Sequence, residues 1–254
     1  MINIDLKGYE LFLLNLGMKK ASDYGTLISN IARVPQKTPT AIPYTTEMLS
    51  MSMLNNVSDD DIIDKYFRRY YDRYESWMPA LCMQDQVAIL SQLIKVLPGA
   101  ERILDVGCGT CHVYTYLKTI GELMLANITG LDGTEEILEE GRQIAEKNGV
   151  ELNLVNSRMP LLEEAIGLYD FVSAIDSLHW NKSWRQTVPR MCELLAPKGK
   201  LFIVYSEYSA RAQINLPDLR NLLKKAKMKN VDLSTFAAPV SFSPRIFVTA
   251  EKCG

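Results

Sequence analysis

Ile103-Leu104-Asp105-Val106-Gly107-Cys108-Gly109-Thr110-Cys111 is the stretch that decides how this chain reads. An apolar run broken by a single acid enters two glycines, and a helical pattern over Val113–Ile120 follows them. Glycine allows tight backbone angles and lets a ligand press against bare backbone. The helix behind the turn opens on N–H groups with no partner inside it, which makes the turn hospitable to an anion. In an open α/β sheet such a loop lies beyond the C-terminal ends of the strands, where these folds keep their sites.

Outward from this stretch the texture repeats. Short apolar runs at Ile128–Leu131, Leu152–Val155, Phe171–Ile175 and Leu201–Tyr205 alternate with helical patterns at Thr134–Lys147 and Trp184–Leu195. That alternation predicts right-handed crossovers and a parallel sheet covered by helices on both faces. After a helix over Leu216–Lys227, Val231–Phe236 and Arg245–Ala250 read as strands with no helix between them, joined through Pro239 and Pro244. They predict a terminal hairpin, so the sheet ends in one antiparallel strand. The expected architecture is a doubly wound, mostly parallel, seven-stranded α/β sheet over residues 85–254. Residues 1–84 are read as an N-terminal helical cap. Within that cap, Pro35, Pro39 and Pro43 mark an extended linker and Asp59-Asp60-Asp61 open a helix. A second helix carries Val87, Leu90, Ile94 and Leu97 on one stripe and stops at Pro98-Gly99.

Composition sets the outer limits. The 254 residues carry 28 basic and 30 acidic side chains, a formal net charge of −2, and 47% hydrophobic residues. Those values exclude a disordered or collagen-like chain. The near-neutral balance argues against a nucleic-acid backbone as partner. No apolar run is long enough to span a membrane, and Asp5 and Glu10 interrupt any secretory signal, so the expected location is cytoplasmic. The five cysteines are then read as free thiols in a reducing compartment.

Thr129-Gly130-Leu131-Asp132-Gly133 places an acid at the end of the second strand, where it can accept hydrogen bonds from ribose hydroxyls. Loop and acid together argue for a nucleoside-bearing ligand. A dinucleotide fingerprint requires a third glycine where His112 stands, so that ligand class fails.

Residues 103–111 resemble the first motif of class I S-adenosylmethionine-dependent methyltransferases. Gly130-Leu131-Asp132 is similar to that family's second-strand acid, Tyr169-Asp170-Phe171-Val172 to the entry of its fourth strand, and Leu194–Leu201 to the turn into its fifth. The resemblance covers roughly residues 85–252 and implies S-adenosyl-L-methionine as cofactor. By that resemblance Asp105, Gly107, Cys108 and Gly109 cradle the methionine end, and Asp132 with Gly133 holds the ribose. Ser157 and Arg158 stand where the family often has an acid near the adenine amine. Tyr70, Tyr71 and Tyr74 are eligible to touch the cofactor carboxylate, and Tyr71 is the one assigned. They belong to an aromatic run, Tyr66, Phe67, Tyr70, Tyr71, Tyr74 and Trp77, read either as a lid over a cationic group or as a packing stripe.

His179 follows the fourth strand, beside the transferable methyl in that family. Its ordinary pKa near neutrality suits it to take a proton from an acceptor, with Asp176 a second base. The alternative is a solvent-exposed loop histidine. His112, in the first turn of a helix, lines a pocket at most. Tyr205, Glu207 and Tyr208 are candidates for the acceptor pocket. Cys108 and Cys111 also spell a Cys-x-x-Cys pair, read first as two small residues in a tight turn rather than as a redox couple. No metal site is expected. The acceptor is expected to be a small molecule methylated on O or N, because the segment after the fourth strand lacks the signatures of base-methylating enzymes. The alternatives are a protein or tRNA methyltransferase docking through the N-terminal region, and a non-catalytic cofactor-binding module. A homodimer through the N-terminal helices is a further expectation.

Overall fold

The computed structural model describes residues 5–16, 18, 83–206, 214–237 and 244–254. The Pro35–Pro43 linker, the helix opening at Asp59, the aromatic run with Tyr71, and the positions Glu207, Tyr208 and Pro239 lie outside the described residues.

Seven strands form one sheet: β1 Arg102–Val106, β2 Asn127–Asp132, β3 Asn153–Asn156, β4 Tyr169–Ile175, β5 Leu195–Ser206, β6 Met228–Phe236 and β7 Arg245–Lys252. Their spatial order is β3-β2-β1-β4-β5-β7-β6. The first five are parallel. The one antiparallel strand is β7, the last in sequence, yet it does not form the rim. It inserts between β5 and β6, pairing antiparallel with both, so β6 becomes the edge and runs with the parallel set. The composition of β6 explains this. Lys229, Asn230, Ser234 and Thr235 tolerate a solvated edge, whereas Ile246, Phe247 and Val248 are buried on both faces.

Six α-helices are described: α1 Leu6–Asn15, α2 Met83–Val96, α3 His112–Thr119, α4 Glu135–Lys147, α5 Trp184–Glu193 and α6 Leu216–Lys225. Charge and capping follow the dipole. Glu135 and Glu136 open α4 and Lys147 closes it, and the Asn215 side chain accepts from the Asp218 N–H at the start of α6.

Strand alternation divides the core in two. Ile103, Phe171, Phe202 and Phe247 face the helices α1 to α4, and Leu104, Val106, Val172 and Leu201 face α5 and α6. Of the N-terminal segment, α1 packs onto the first face. Tyr9 and Phe12 lie against the Tyr116 ring of α3 with centroids 4.7 and 5.3 Å apart, and the Tyr116 hydroxyl donates to the Asp5 carbonyl at 3.0 Å. No helix among the described residues is long and apolar enough to cross a membrane.

Candidate active site

The strand order reverses between β1 and β4, so the crevice opens beyond their C-terminal ends. Gly107–Cys111, Asp132, Ser157, and Asp176 with His179 all follow strands β1 to β4 and gather at this rim.

The β1 turn is built by contacts between neighbours. Gly107 and Cys108 both donate backbone N–H bonds to the Leu131 carbonyl, at 2.7 and 3.0 Å. Gly107 has φ +69°, and a Cβ there would overlap Ser177 and fall 2.8 Å from its Oγ. The bare backbone at Gly107 is therefore occupied by the loop after β4. Ser177 locks that approach by donating to the Val106 carbonyl at 2.7 Å. Gly109 has φ +55° with ordinary space around an added Cβ, so its requirement is conformational.

Gly109 and Asp132 are coupled. The Gly109 N–H donates to Asp132 Oδ2 at 3.0 Å, and the Thr134 N–H donates to Oδ1 at 3.0 Å. Burial raises the Asp132 pKa above the usual carboxylate value, while the N–H groups of Gly109, Thr134 and Gly133 pull it the other way. A carboxylate offers about four acceptor positions, so hydroxyl donors still find lone pairs here. The Asp132 carbonyl receives the Ser157 N–H at 2.9 Å, which brings the end of β3 beside it. Ser157 Oγ is buried and has no hydrogen-bond partner among the described residues. Arg158, next to it, is exposed.

Asp105 lies one step inside the strand and is buried. It accepts a bond from Ser173 Oγ at 2.7 Å, since Ser173 is its register partner on β4. Burial, and then the Asp132 charge, raise its pKa to about 7 against the pull of Ser173. Cys108 and Cys111 are both free thiols. Burial pushes the Cys108 pKa well up. At Cys111 the bond with Cys108 pulls down, but burial and the Asp105 charge outweigh it, so that pKa is raised as well. A redox pair needs a stabilised thiolate, and this pair has the reverse. Cys111 instead takes the left-handed turn before α3, φ +56°, and the Cys108 side chain packs over Gly130, where a Cβ would sit 2.7 Å from Sγ.

Neither histidine is exposed to solvent: His179 is buried and His112 is half-buried. His112 opens α3 with its Nε2 3.2 Å from Gln86 Oε1 and its Nδ1 3.4 Å from Thr110 Oγ1. His179 sits in the short 3₁₀ turn Leu178–Trp180 at 6% exposure, its ring 5.1 Å from the Trp180 ring. Burial lowers each pKa to about 4, so the near-neutral value expected for His179 does not hold in this fold. Asp176, at φ +52°, is ion-paired with Arg245, whose Nε lies 2.9 Å from Oδ1. The Arg245 Nη2 is 3.5 Å from Asp85 of α2. Tyr205 joins the core cluster on the α5–α6 side.

Three contributors escaped the sequence reading. Ser173 leaves a local signal, a hydroxyl inside the apolar run Phe171–Ile175. Gly141 of α4 leaves a weaker one. A Cβ there would fall 2.9 Å from the Thr110 carbonyl oxygen, so the glycine lets the helix lie on the β1 turn. Arg245 leaves none, being far in sequence from both acids it meets.

Residues 103–199 match the family model described as a methyltransferase domain. The ubiquinone biosynthesis O-methyltransferase of Shewanella pealeana is 28% identical over 141 residues, 55% of this chain and 58% of that protein. The enzyme of the same name from Cronobacter sakazakii is 33% identical over 103 residues, 40% of this chain and 41% of that one. The chain thus spans about half the length of these curated relatives. Among solved structures, magnesium protoporphyrin IX methyltransferase from Synechocystis PCC 6803 with bound SAM matches at TM-score 0.61 and 18% identity, covering 77% of this chain and 98% of that chain. The likeness establishes the fold. The methyltransferase resemblance read from the glycine loop, Asp132 and the β4 and β5 entries agrees with these matches: residues 103–199 match a methyltransferase domain, and the fold is that of the solved methyltransferase.

Proposed function

We propose that this protein is an S-adenosyl-L-methionine-dependent methyltransferase that methylates an O or N atom of a small molecule, with residues 1–84 capping the site. The observation that carries the reading is the Gly109 N–H bond to Asp132 Oδ2 at 3.0 Å, which makes loop and acid one binding unit. The site residues suit the cofactor. Asp132 keeps acceptor capacity for ribose hydroxyls, and Ser157 Oγ is a buried polar atom without a hydrogen-bond partner among the described residues, suited to a polar group of the adenine. Names of relatives support a small acceptor, since they act in ubiquinone biosynthesis and on magnesium protoporphyrin IX.

When bound, the cofactor supplies a methyl group on a positively charged sulfur, open to in-line displacement. Asp132, with Gly133, would hold the ribose, and Ser157 and Arg158 would border the adenine. The Asp105–Gly109 turn, including Cys108, would receive the amino-acid end; Tyr71, assigned to its carboxylate by the family resemblance, lies outside the described residues. The protein's main contribution is alignment and exclusion of water. His179, neutral throughout the working pH range, takes the acceptor proton. Asp176, held by Arg245, is the second candidate base.

Incubation with methyl-labelled cofactor and a panel of phenols, carboxylic acids and amines tests this. Label should pass to a small acceptor with little salt dependence. Transfer only to protein or tRNA, falling steeply with salt, supports the macromolecular alternative. Binding without any transfer supports a non-catalytic module.

A further inference from the structure

A buried hydrogen-bonded chain beneath the β1 turn is not used by methyl transfer itself. Ser173, in the middle of β4, is fully buried. Its Oγ has two acceptors in reach, Asp105 Oδ1 at 2.7 Å and the Leu104 carbonyl at 3.3 Å. The Tyr114 hydroxyl of α3, also fully buried, lies 2.6 Å from the same Oγ.

A serine hydroxyl has one proton to give and two lone pairs to receive. With Asp105 ionised, Tyr114 donates to Ser173 and Ser173 donates to Asp105. With Asp105 protonated, the carboxyl donates to Ser173, and the Ser173 proton turns to the Leu104 carbonyl. Ser173 is satisfied in both arrangements. A carboxylate meant to stay charged needs only the first. Among the described residues, the titratable groups that face Asp105 are Asp132 on β2, Cys108 and Cys111 in the turn, and Tyr114 on α3. Each of these is an acid or a neutral group at pH 7, so an arriving cation supplies the charge that favours ionisation. The raised pKa of Asp105, about 7, agrees with this geometry.

Resting on the cofactor reading above, we propose that Ser173 and Tyr114 form a proton switch under Asp105, so that seating the ammonium of the cofactor's amino-acid end expels the carboxyl proton to solvent. One O–H bond breaks, the proton passes to buffer, and the carboxylate pairs with the ammonium. Only the ionised carboxyl makes that pair. Affinity therefore rises with pH toward neutrality and levels off, until the ammonium itself loses its proton at more alkaline pH.

Calorimetric titration with S-adenosylhomocysteine, in buffers of different ionisation heat, reads the proton count. Close to one proton is expected to be released per ligand at about pH 6 and none at about pH 8. Asp105→Asn should abolish the release. Ser173→Ala removes the donor that favours ionisation, so affinity near pH 7 should fall roughly tenfold and recover at higher pH. Tyr114→Phe, a change of one hydroxyl, should move the midpoint the same way by less and keeps the test open if Ser173→Ala does not fold. Tight wild-type binding with no proton release at about pH 6 overturns the inference, as does release unchanged in Asp105→Asn. Absence of binding at every pH overturns the cofactor reading itself.

Discussion

The backbone N–H of Gly109 points at the Asp132 carboxylate, with 3.0 Å between nitrogen and Oδ2. The turn after one strand is thus tied to the acid at the end of its neighbour before any ligand arrives. Removing the carboxylate strands the Gly109 and Thr134 N–H groups as well as losing the ribose acceptor. Asp132→Ala should cost about 1–3 kcal/mol of stability, the usual penalty for orphaned donors. It should also weaken S-adenosylhomocysteine binding by at least tenfold. Thermal unfolding and calorimetry measure the two effects separately. Unchanged affinity in a folded variant contradicts the assignment of Asp132 to the ribose.

Gly107 answers a steric demand from the loop after β4. Gly107→Ala would place a methyl against Ser177 and Met159 at φ +69°. Left-handed strain and overpacking each cost on the order of 1–3 kcal/mol, so a loss of about 2–4 kcal/mol is expected in denaturant unfolding. Adding Ser177→Gly should recover the overlap part and leave the backbone part. Full stability in Gly107→Ala alone would refute the close approach.

The histidines make a prediction about acid. Burial lowers both to about 4 in the fold, below the ordinary 6.5. A group with a depressed folded pKa contributes stability that is present above its unfolded value and lost as pH falls through the folded one. The contribution of His112 and His179 should therefore fade between about pH 6.5 and pH 4. Neither imidazole should titrate in NMR spectra above about pH 5.5. For His179, His179→Ala should lower turnover several-fold while leaving cofactor affinity within about twofold. Unchanged turnover would remove it as the base, and ordinary titration near neutrality would contradict the burial of the ring.

Arg245 joins Asp176 to Asp85, and Asp85 is buried. Arg245→Met leaves two acids without their cation, one of them away from water. Breaking such a pair costs roughly 3–5 kcal/mol. Combining it with Asp85→Asn should restore part of that loss. Strict additivity in the double-mutant cycle would show that the two side chains do not interact.

Short-range features of the chain were legible from residues alone. The apolar runs at Ile103–Val106 and Phe171–Ile175 announce buried parallel strands, and Asp132 sits at a strand end, each a feature of a few consecutive residues. Relations set by the sheet were not. The insertion of β7 between β5 and β6 depends on which hairpin strand is apolar on both faces, a comparison of burial rather than of period. The clamp of Arg245 on Asp85 joins residues brought together only when β7 closes on the rim. The pKa of His179 was misjudged for a similar reason. Its position was readable, but its pKa follows from burial beside Trp180, which no local pattern reports.

A crystal structure of the protein with S-adenosylhomocysteine tests the central claim most directly. The account predicts ribose hydroxyls within hydrogen-bond distance of the Asp132 carboxylate, the amino-acid end on the Asp105–Gly109 turn, and the adenine beside Ser157. A ligand seated elsewhere, or density absent from the β1–β4 crevice at saturating concentration, would contradict it.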